Sequence, residues 1–387
     1  MQSNKRTKTW LGAAAVIGLS VGLMGTASAD YAPSGTDIVV IGGETPQYNV
    51  DFAADGDVSG DAGYNSANLV NKLVNIDATA DANGRAAYAN GSTVASPKNL
   101  NASVVLRAGT SPVQRVTSTG GGYTALLADT GATPQINFIR AANLPTAANQ
   151  ATAAANGWGY LHVVQIGTDP LQIVAANVTN APAGLSTAEL VKIYDGTYTK
   201  WNQIPGNSGG SGNNIIPLIP PSGSSISKLL LADLKTANGG SAVTLASNVV
   251  TVEQNDPGAI TSASSPADAI APFSIGRLNL WNSGYFRNPA TPFPGGVVLT
   301  PGVHALTGTA PDAAAAYNDT NGLYLVFRNS DAASSTPFQP GGTKNWVQTL
   351  LSDPSGNPFF KRAAGQALVA AAGGIPGYSD LGNVSAG

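Results

Sequence analysis

The chain has 387 residues, of which 43% are hydrophobic and 11% charged, with 46 Gly, 25 Pro, no Cys and a formal net charge of -3. That length and apolar content are enough for two ordinary cores. The near-neutral balance excludes a broad basic field for holding nucleic acid, and the missing Cys excludes disulfides and a lipid-bearing Cys anchor.

Lys5, Arg6 and Lys8, the apolar run Leu11 to Met24 and the small residues Thr26 to Ala29 make the three-part pattern of a secretory signal peptide. The run is shorter than the roughly 20 apolar residues a spanning helix needs. Residues 1–29 are therefore read as a cleaved signal peptide. The mature protein is expected to be secreted, extracellular or periplasmic, and not a lipoprotein.

Asp37 to Ile41 is an apolar run ending in Gly42-Gly43, and Thr45-Pro46 supplies an N-cap and a first helical residue. Strand, tight turn and helix are expected in that order. Val104 to Arg107 reads as a strand, and Ser118-Thr119-Gly120-Gly121-Gly122 precedes a helix from Tyr123 to Ala128. Ile136 to Arg140 is a short strand, followed by an Ala-rich loop or weak helix from Ala141 to Asn156. Leu161 to Ile166 and Leu171 to Ala175 read as two strands split by Gly167-Thr168-Asp169-Pro170.

Ser186 and Glu189 form a capping box with Leu185 and Leu190 as its staple, and that helix runs to Tyr194 before Asp195-Gly196. Ile215 to Ile219 is a strand, and Ile226, Leu229, Leu230 and Leu234 have helical spacing beyond the turn at Ser222. The free amides of a helix start, with small side chains around them, make that turn a candidate anion site. Ala269 to Ile275 is a second crossing strand, and Pro/Gly-rich sequence to Ala310 reads as loop and short strands. Leu323 to Arg328 is a strand, and Asn345 to Ala372 reads as helical, stopped by Gly373-Gly374.

The run L-S-T-A-E-L-V-K-I-Y-D-G-T-Y-T-K-W-N-Q-I from Leu185 to Ile204 resembles the lobe-two helix and G-x-x-x-x-W stretch of phosphate-type solute-binding proteins of ATP-driven (ABC) importers. Asp169 to Asn177 and Ala269 to Arg277 are similar to that family's two crossings, and Gly322 to Arg328 and Gly373 to Tyr378 to its C-terminal strand and tail. The resemblance implies an α/β, two-lobed type II periplasmic-binding-protein-like fold, each lobe a mixed sheet flanked by helices, with a ligand cleft between. It places lobe one at 30–168 plus 278–387 and lobe two at 169–277. The expected protein is a non-enzymatic, monomeric binding protein with no cofactor, which closes on a small anion such as phosphate and presents it to a membrane permease.

Carried over by this resemblance, the ligand-binding residues are Gly43 and Thr45 in the first turn, Ser118, Thr119 and Gly120 in the second, Arg140, and Ser222, Gly223, Ser224 and Ser225 in the third. The side chains depart from the family pattern. Pro220-Pro221-Ser222-Gly223-Ser224-Ser225-Ile226 lacks the usual Arg, and the family's Asp would fall near Ala142 or Asn143. Arg140 is a replacement charge and Glu44 would oppose an anion. Losing one charged hydrogen bond of about 1.5–3 kcal/mol weakens binding roughly ten- to a hundredfold.

Other chemistries find less support in the residues. Gly206 to Gly210 matches G-x-S-x-G around Ser208, but no apolar strand precedes it to form a strained elbow for a secreted hydrolase, and His162 lies in an apolar strand run far from His304. Metal binding lacks a ligand cluster. Trp158, Trp201 and Trp281 have no spacing that makes a sugar platform, and the sequons at Asn101 and Asn177 matter only in a glycosylating host. A scaffold with a degraded pocket, acting as a surface or partner-binding protein, is the main alternative.

Overall fold

The computed structural model describes residues 32–57, 59–67, 70–78, 103–116, 118–286 and 299–386. The expected signal peptide and the sequon that begins at Asn101 lie outside the described residues.

Ten strands form one mixed sheet: β1 (Ile38–Gly42), β2 (Leu73–Asn75), β5 (Phe138–Ala141), β6 (Leu161–Ala176), β7 (Ile216–Ile219), β8 (Val250–Thr251), β9 (Ala269–Ser274), β10 (Val303–Ala305), β11 (Asn318–Arg328) and β12 (Ile375–Asn383). A separate two-stranded ribbon holds β3 (Ser103–Val104) and β4 (Val113–Gln114). The main path runs β2-β1-β5-β11-β6-β9-β7-β8, with β10 and β12 pairing onto β6. The strands β1, β2 and β5 run parallel, and β1 and β5 are buried at every residue. Helices cover both faces of such a sheet, which is why β1 is continuously apolar rather than alternating.

The long strand β6 organises the molecule. One side pairs with β11 from Leu161 to Gln172 and then with β10 from Val174 to Ala176. Its other side pairs with β12 from His162 to Thr168 and with β9 from Leu171 to Ala175. Gly167 to Pro170 was expected to break the strand, yet β6 runs through as one element of 16 residues. The physical reason lies in the partner change. Asp169 and Pro170 fall where β12 has ended and β9 has not begun, so the N–H that Pro170 lacks is not required on that side. Gly167 is required there for a different reason, because a Cβ on it would lie 2.5 Å from the Ile375 carbonyl oxygen of β12.

The same partner change divides the core. Val164 and Ile166 pack in a cluster with Phe138, Leu325 and Phe360, whereas Leu171 and Ile173 pack with Tyr194, Trp201 and Leu230. In the helix Ile275–Asn282, Leu278 belongs with Val174 and Phe273, while Leu280 and Trp281 belong with Phe52 and Phe286. Four clusters therefore share one sheet, two beside each half of β6, as a two-lobed α/β binding fold requires.

Local chemistry explains the other differences from expectation. The helix read from Tyr123 begins four residues earlier, spanning Thr119–Ala128, because Ser118 accepts from the Gly121 amide and caps it. The Ala-rich segment forms the helix Ala147–Ala155 behind a Thr146/Asn149 capping box. The C-terminal helical stretch is two helices, Trp346–Leu350 and Ala363–Ala371, split at Pro354 and Pro358. The strand expected over Val104 to Arg107 is only Ser103–Val104. The tail after Gly374 is the strand β12, two-thirds of it exposed, which its polar sequence did not signal.

The Leu185 to Ile204 segment folds as its sequence indicates. Ser186 accepts from the Glu189 amide while the Glu189 carboxylate accepts from the Ser186 amide, opening the helix Thr187–Tyr194. Trp201 is fully buried and donates its indole N–H to Asp268 Oδ1 at 2.8 Å. Asp268 also accepts from Asn180, Asn213 and Ser265. Burial raises the Asp268 pKa, but these four donors outweigh it and hold the carboxyl below its ordinary value.

Candidate functional site

Three turns that each follow a strand and open a helix meet at one place. The first is Gly42 to Pro46, between β1 and the helix Gln47–Asp55. Gly42 has φ +134°, and a Cβ there would sit 2.2 Å from the Arg140 carbonyl oxygen, so only glycine lets β1 end beside β5. The second turn, ending at Ser118, packs against the first. A Cβ on Gly43 would lie 2.5 Å from Thr119 Oγ1, and one on Gly122 would lie 3.1 Å from the Gly42 Cα. The glycines are thus what allow the two helix starts to close on each other.

The third turn, Ser222 to Ser225, opens the helix Ser225–Ala237 with Ser224 as its cap. It reaches both of the others. Ser225 Oγ lies 3.3 Å from Thr45 Oγ1, and a Cβ on Gly223 would lie 4.0 Å from Ser118 Oγ. Thr45, expected to cap the first helix, makes no such bond, and its hydroxyl faces Ser225 instead. Thr45, Thr119, Ser224 and Ser225 are buried, whereas Ser222 and Gly223 are exposed and Ser118 and Gly120 lie between. Helix starts at 119 and 225 each present leading amides with no carbonyl one turn earlier, and both point positive dipole ends at this seam.

Lys228 adds a positive charge that sequence reading passed over. It lies one turn into the helix Ser225–Ala237, is exposed, and brings Nζ within 3.8 Å of where a Cβ on Gly120 would be. The signal for it was its position, three residues after the third turn.

Arg140 lies beneath the turns rather than at their mouth. It is fully buried, donates from Nε to the Gly43 carbonyl at 2.8 Å, and bonds through its terminal nitrogens to the Asn75 and Gln47 side chains. Its guanidinium holds the first turn in shape.

Glu44 is the acidic group at the centre. Its buried carboxylate pairs with Arg277 at 2.7 Å, and accepts from Asn255 Nδ2 at 2.8 Å and from Gln254 Nε2. The other Arg277 nitrogen donates to the Glu44 backbone carbonyl at 3.1 Å, and its guanidinium sits 4.3 Å above the Tyr48 ring. Arg277 lies in the first turn of the helix Ile275–Asn282 and donates its amide to the Ser274 cap, and Ser274 Oγ lies 2.5 Å from Asp169 Oδ2. The Gly276 amide donates to Asp169 Oδ1 at 2.8 Å. Burial pushes the Asp169 carboxyl up to about 6, against the lowering effect of Ser274, Gly276 and the Arg277 charge. Gln254, Asn255 and Arg277 were not foreseen as part of a site, because they come together only when β8 and β9 are placed beside the first turn.

The remaining candidates sit apart. Ser208 is exposed in a loop between Trp201 and β7, without the strand-to-helix elbow a nucleophile needs. His162 stacks on Phe327 at 4.7 Å and lies 2.5 Å from Asp380. Trp201 and Trp281 are core residues, and Trp158 lies under the Arg328 guanidinium at 4.8 Å. Among the described residues no group of three or more potential ligands could hold a metal ion, and no helix is long and apolar enough to cross a membrane.

A family model described as "PBP superfamily domain" matches residues 78–353. The chain belongs to that family, whose two-lobed architecture the sheet and cores reproduce. Among solved structures, a putative phosphate ABC transporter substrate-binding protein from Clostridium perfringens, with bound phosphate, is similar at 11% identity and TM-score 0.50, covering 88% of this chain and 99% of that one. An ABC-type phosphate transport receptor from Vibrio cholerae is similar at 13% identity and TM-score 0.48, covering 88% and 99%. No curated protein sequence matches the chain.

Proposed function

We propose that this protein is a secreted, monomeric solute-binding protein whose two lobes, 30–168 plus 278–387 and 169–277, close on a small oxyanion, with phosphate as the ligand. The observation that carries this reading is the meeting of three strand-to-helix turns at Thr45, Ser118 and Ser225, with Lys228 beside them. The leading amides at Thr119, Gly120 and Ser225, the Ser118, Thr45 and Ser225 hydroxyls, the small residues Gly43, Ser222 and Gly223, and the Lys228 ammonium are the proposed contacts. Hydrogen-bond donors at helix starts suit an anion held without any covalent step. The relative from Clostridium perfringens, described with bound phosphate, supports that choice of anion. In this reading the loaded protein presents its ligand to a membrane permease, and no cofactor takes part.

Titrating the intrinsic Trp fluorescence of the mature protein with phosphate, arsenate and sulfate tests the proposal. Saturable binding of phosphate supports it, and no response to any of the three removes it.

A second reading is favoured by one observation. The Arg140 and Arg277 guanidinium groups already bond to atoms of the first turn. In that reading the fold is kept as an extracellular scaffold that binds a partner through its surface, and the cleft takes no solute. The same titration separates the two.

A further inference from the structure

The donors gathered around Glu44 have the composition of an anion site. One guanidinium nitrogen of Arg277 and the side-chain amides of Gln254 and Asn255 converge on one small planar anion, while the second Arg277 nitrogen holds the backbone carbonyl of the same residue, and these three come from the segments that follow β9 and β8. The anion they hold is the chain's own. It follows β1 at the opposite end of the sheet path, its side chain is wholly buried, and the next residue, Thr45, meets Ser225.

We propose that Glu44 is a built-in competitor for the solute: its carboxylate fills the Arg277, Gln254 and Asn255 donors and latches the two halves of the cleft together when no solute is bound. This inference rests on the oxyanion-binding reading for its ligand, though not for the latch itself. A binding protein of this fold ordinarily closes because a ligand bridges its lobes. Here a tethered carboxylate makes that bridge, and a tethered group acts at a high effective concentration. The unliganded protein then rests closed. An entering oxyanion binds only in the fraction of molecules in which Glu44 has withdrawn, so its apparent affinity falls by that fraction. The same geometry assigns Arg277, Gln254 and Asn255 as further solute contacts once the latch opens.

The positions of the surrounding groups fit a latch that can release. Asn255 holds a φ of +53°, and its Oδ1 accepts from the Ser274 amide while its Nδ2 serves Glu44. Asn255 is thus a joint between the β9 crossing and the carboxylate. When Glu44 leaves, Arg277 keeps the Tyr48 ring and the neighbouring Asp169 as company, so the donor set remains charged and oriented.

The test uses the mature full chain and its Glu44→Gln and Glu44→Asp variants, with inorganic phosphate as the probe. Small-angle X-ray scattering reads opening, and isothermal titration calorimetry reads affinity. Expected for Glu44→Gln is a larger radius of gyration than wild type without phosphate, a return to the wild-type value with phosphate, and binding tighter by about tenfold or more. Glu44→Asp keeps the charge and shortens the reach by one methylene, and guards against misfolding of the first variant; it is expected to fall between. Unchanged dimensions in both variants, with phosphate binding no tighter than wild type, overturn the latch. A variant that opens but binds neither phosphate, arsenate nor sulfate upholds the latch and overturns the oxyanion reading instead.

Discussion

The hydroxyls of Thr45 and Ser225, 180 residues apart in the chain, lie 3.3 Å from each other. That contact joins the turn after β1 to the turn before the helix Ser225–Ala237, and it sets the geometry on which the anion proposal depends. Lys228 is the nearby side chain whose removal tests the site with the least structural disturbance, because it is exposed. Lys228→Ala is expected to weaken phosphate binding roughly tenfold, the loss of about one charge-assisted hydrogen bond. Its thermal stability should match wild type, and the difference in affinity should shrink at high salt. Calorimetric titration at two salt concentrations checks this, and an unchanged affinity would place the ammonium outside the site.

How much of this was legible in the sequence follows from the range of each interaction. The capping box at Ser186 and Glu189, the strand Ile38–Gly42 and the cap at Ser224 are local, and residues a few positions apart determine them. The run from Leu185 to Ile204 was legible as a family segment as well as a pattern. The unbroken β6 was not, because Pro170 is tolerated only where β12 and β9 exchange places, which is a tertiary circumstance. The union of Glu44 with Gln254, Asn255 and Arg277 spans over 200 residues of chain and leaves no local signature. Arg140 could be read as a charge near the site, but its role under the Gly43 carbonyl depends on β5 lying beside β1.

The Trp201 indole is expected to matter through Asp268 as well as through packing. Trp201→Phe removes one donor from a buried carboxylate and part of a core side chain, and should destabilise the protein by about 2–4 kcal/mol. Asp268→Ala should cost at least as much, since the Asn180, Trp201, Asn213 and Ser265 donors would all lose their acceptor. Urea denaturation measures both. A loss below about 1 kcal/mol for Asp268→Ala would contradict the hub, given the usual cost of stranded buried donors.

Gly42→Ala tests the close approach of β1 and β5. The added Cβ meets the Arg140 carbonyl oxygen at 2.2 Å on a backbone with φ +134°. Backbone strain and overpacking together are expected to destabilise by about 3 kcal/mol or more. Gly131→Ala is the matched control, because nothing lies within 4 Å of its Cβ position. The melting temperature of the control should stay near wild type while that of Gly42→Ala falls.

Asp169 gives the strand β6 a pH dependence of known sign. Its carboxyl is raised from 3.8 to about 6, chiefly by burial, so between those values the folded state holds a proton that the unfolded state has released. Stability therefore falls as pH rises through that window, by about 3 kcal/mol for a shift of this size, and levels off above it. Asp169→Asn cannot ionise and should show a flatter profile. Asp233 and Asp331, also raised to about 6 chiefly by burial, contribute equally to both proteins and cancel in the comparison. Urea midpoints from about pH 4 to about pH 7 check the difference, and parallel profiles would contradict it.

The most direct test of the central claim is a calorimetric titration of the mature wild-type protein with inorganic phosphate. The expected result is saturable binding to one site with a dissociation constant below about 1 mM, weakened from the usual range by the Glu44 carboxylate and competed by arsenate. The absence of any saturable heat with phosphate, in the wild type and in Glu44→Gln alike, would contradict the assignment of the cleft as an oxyanion site.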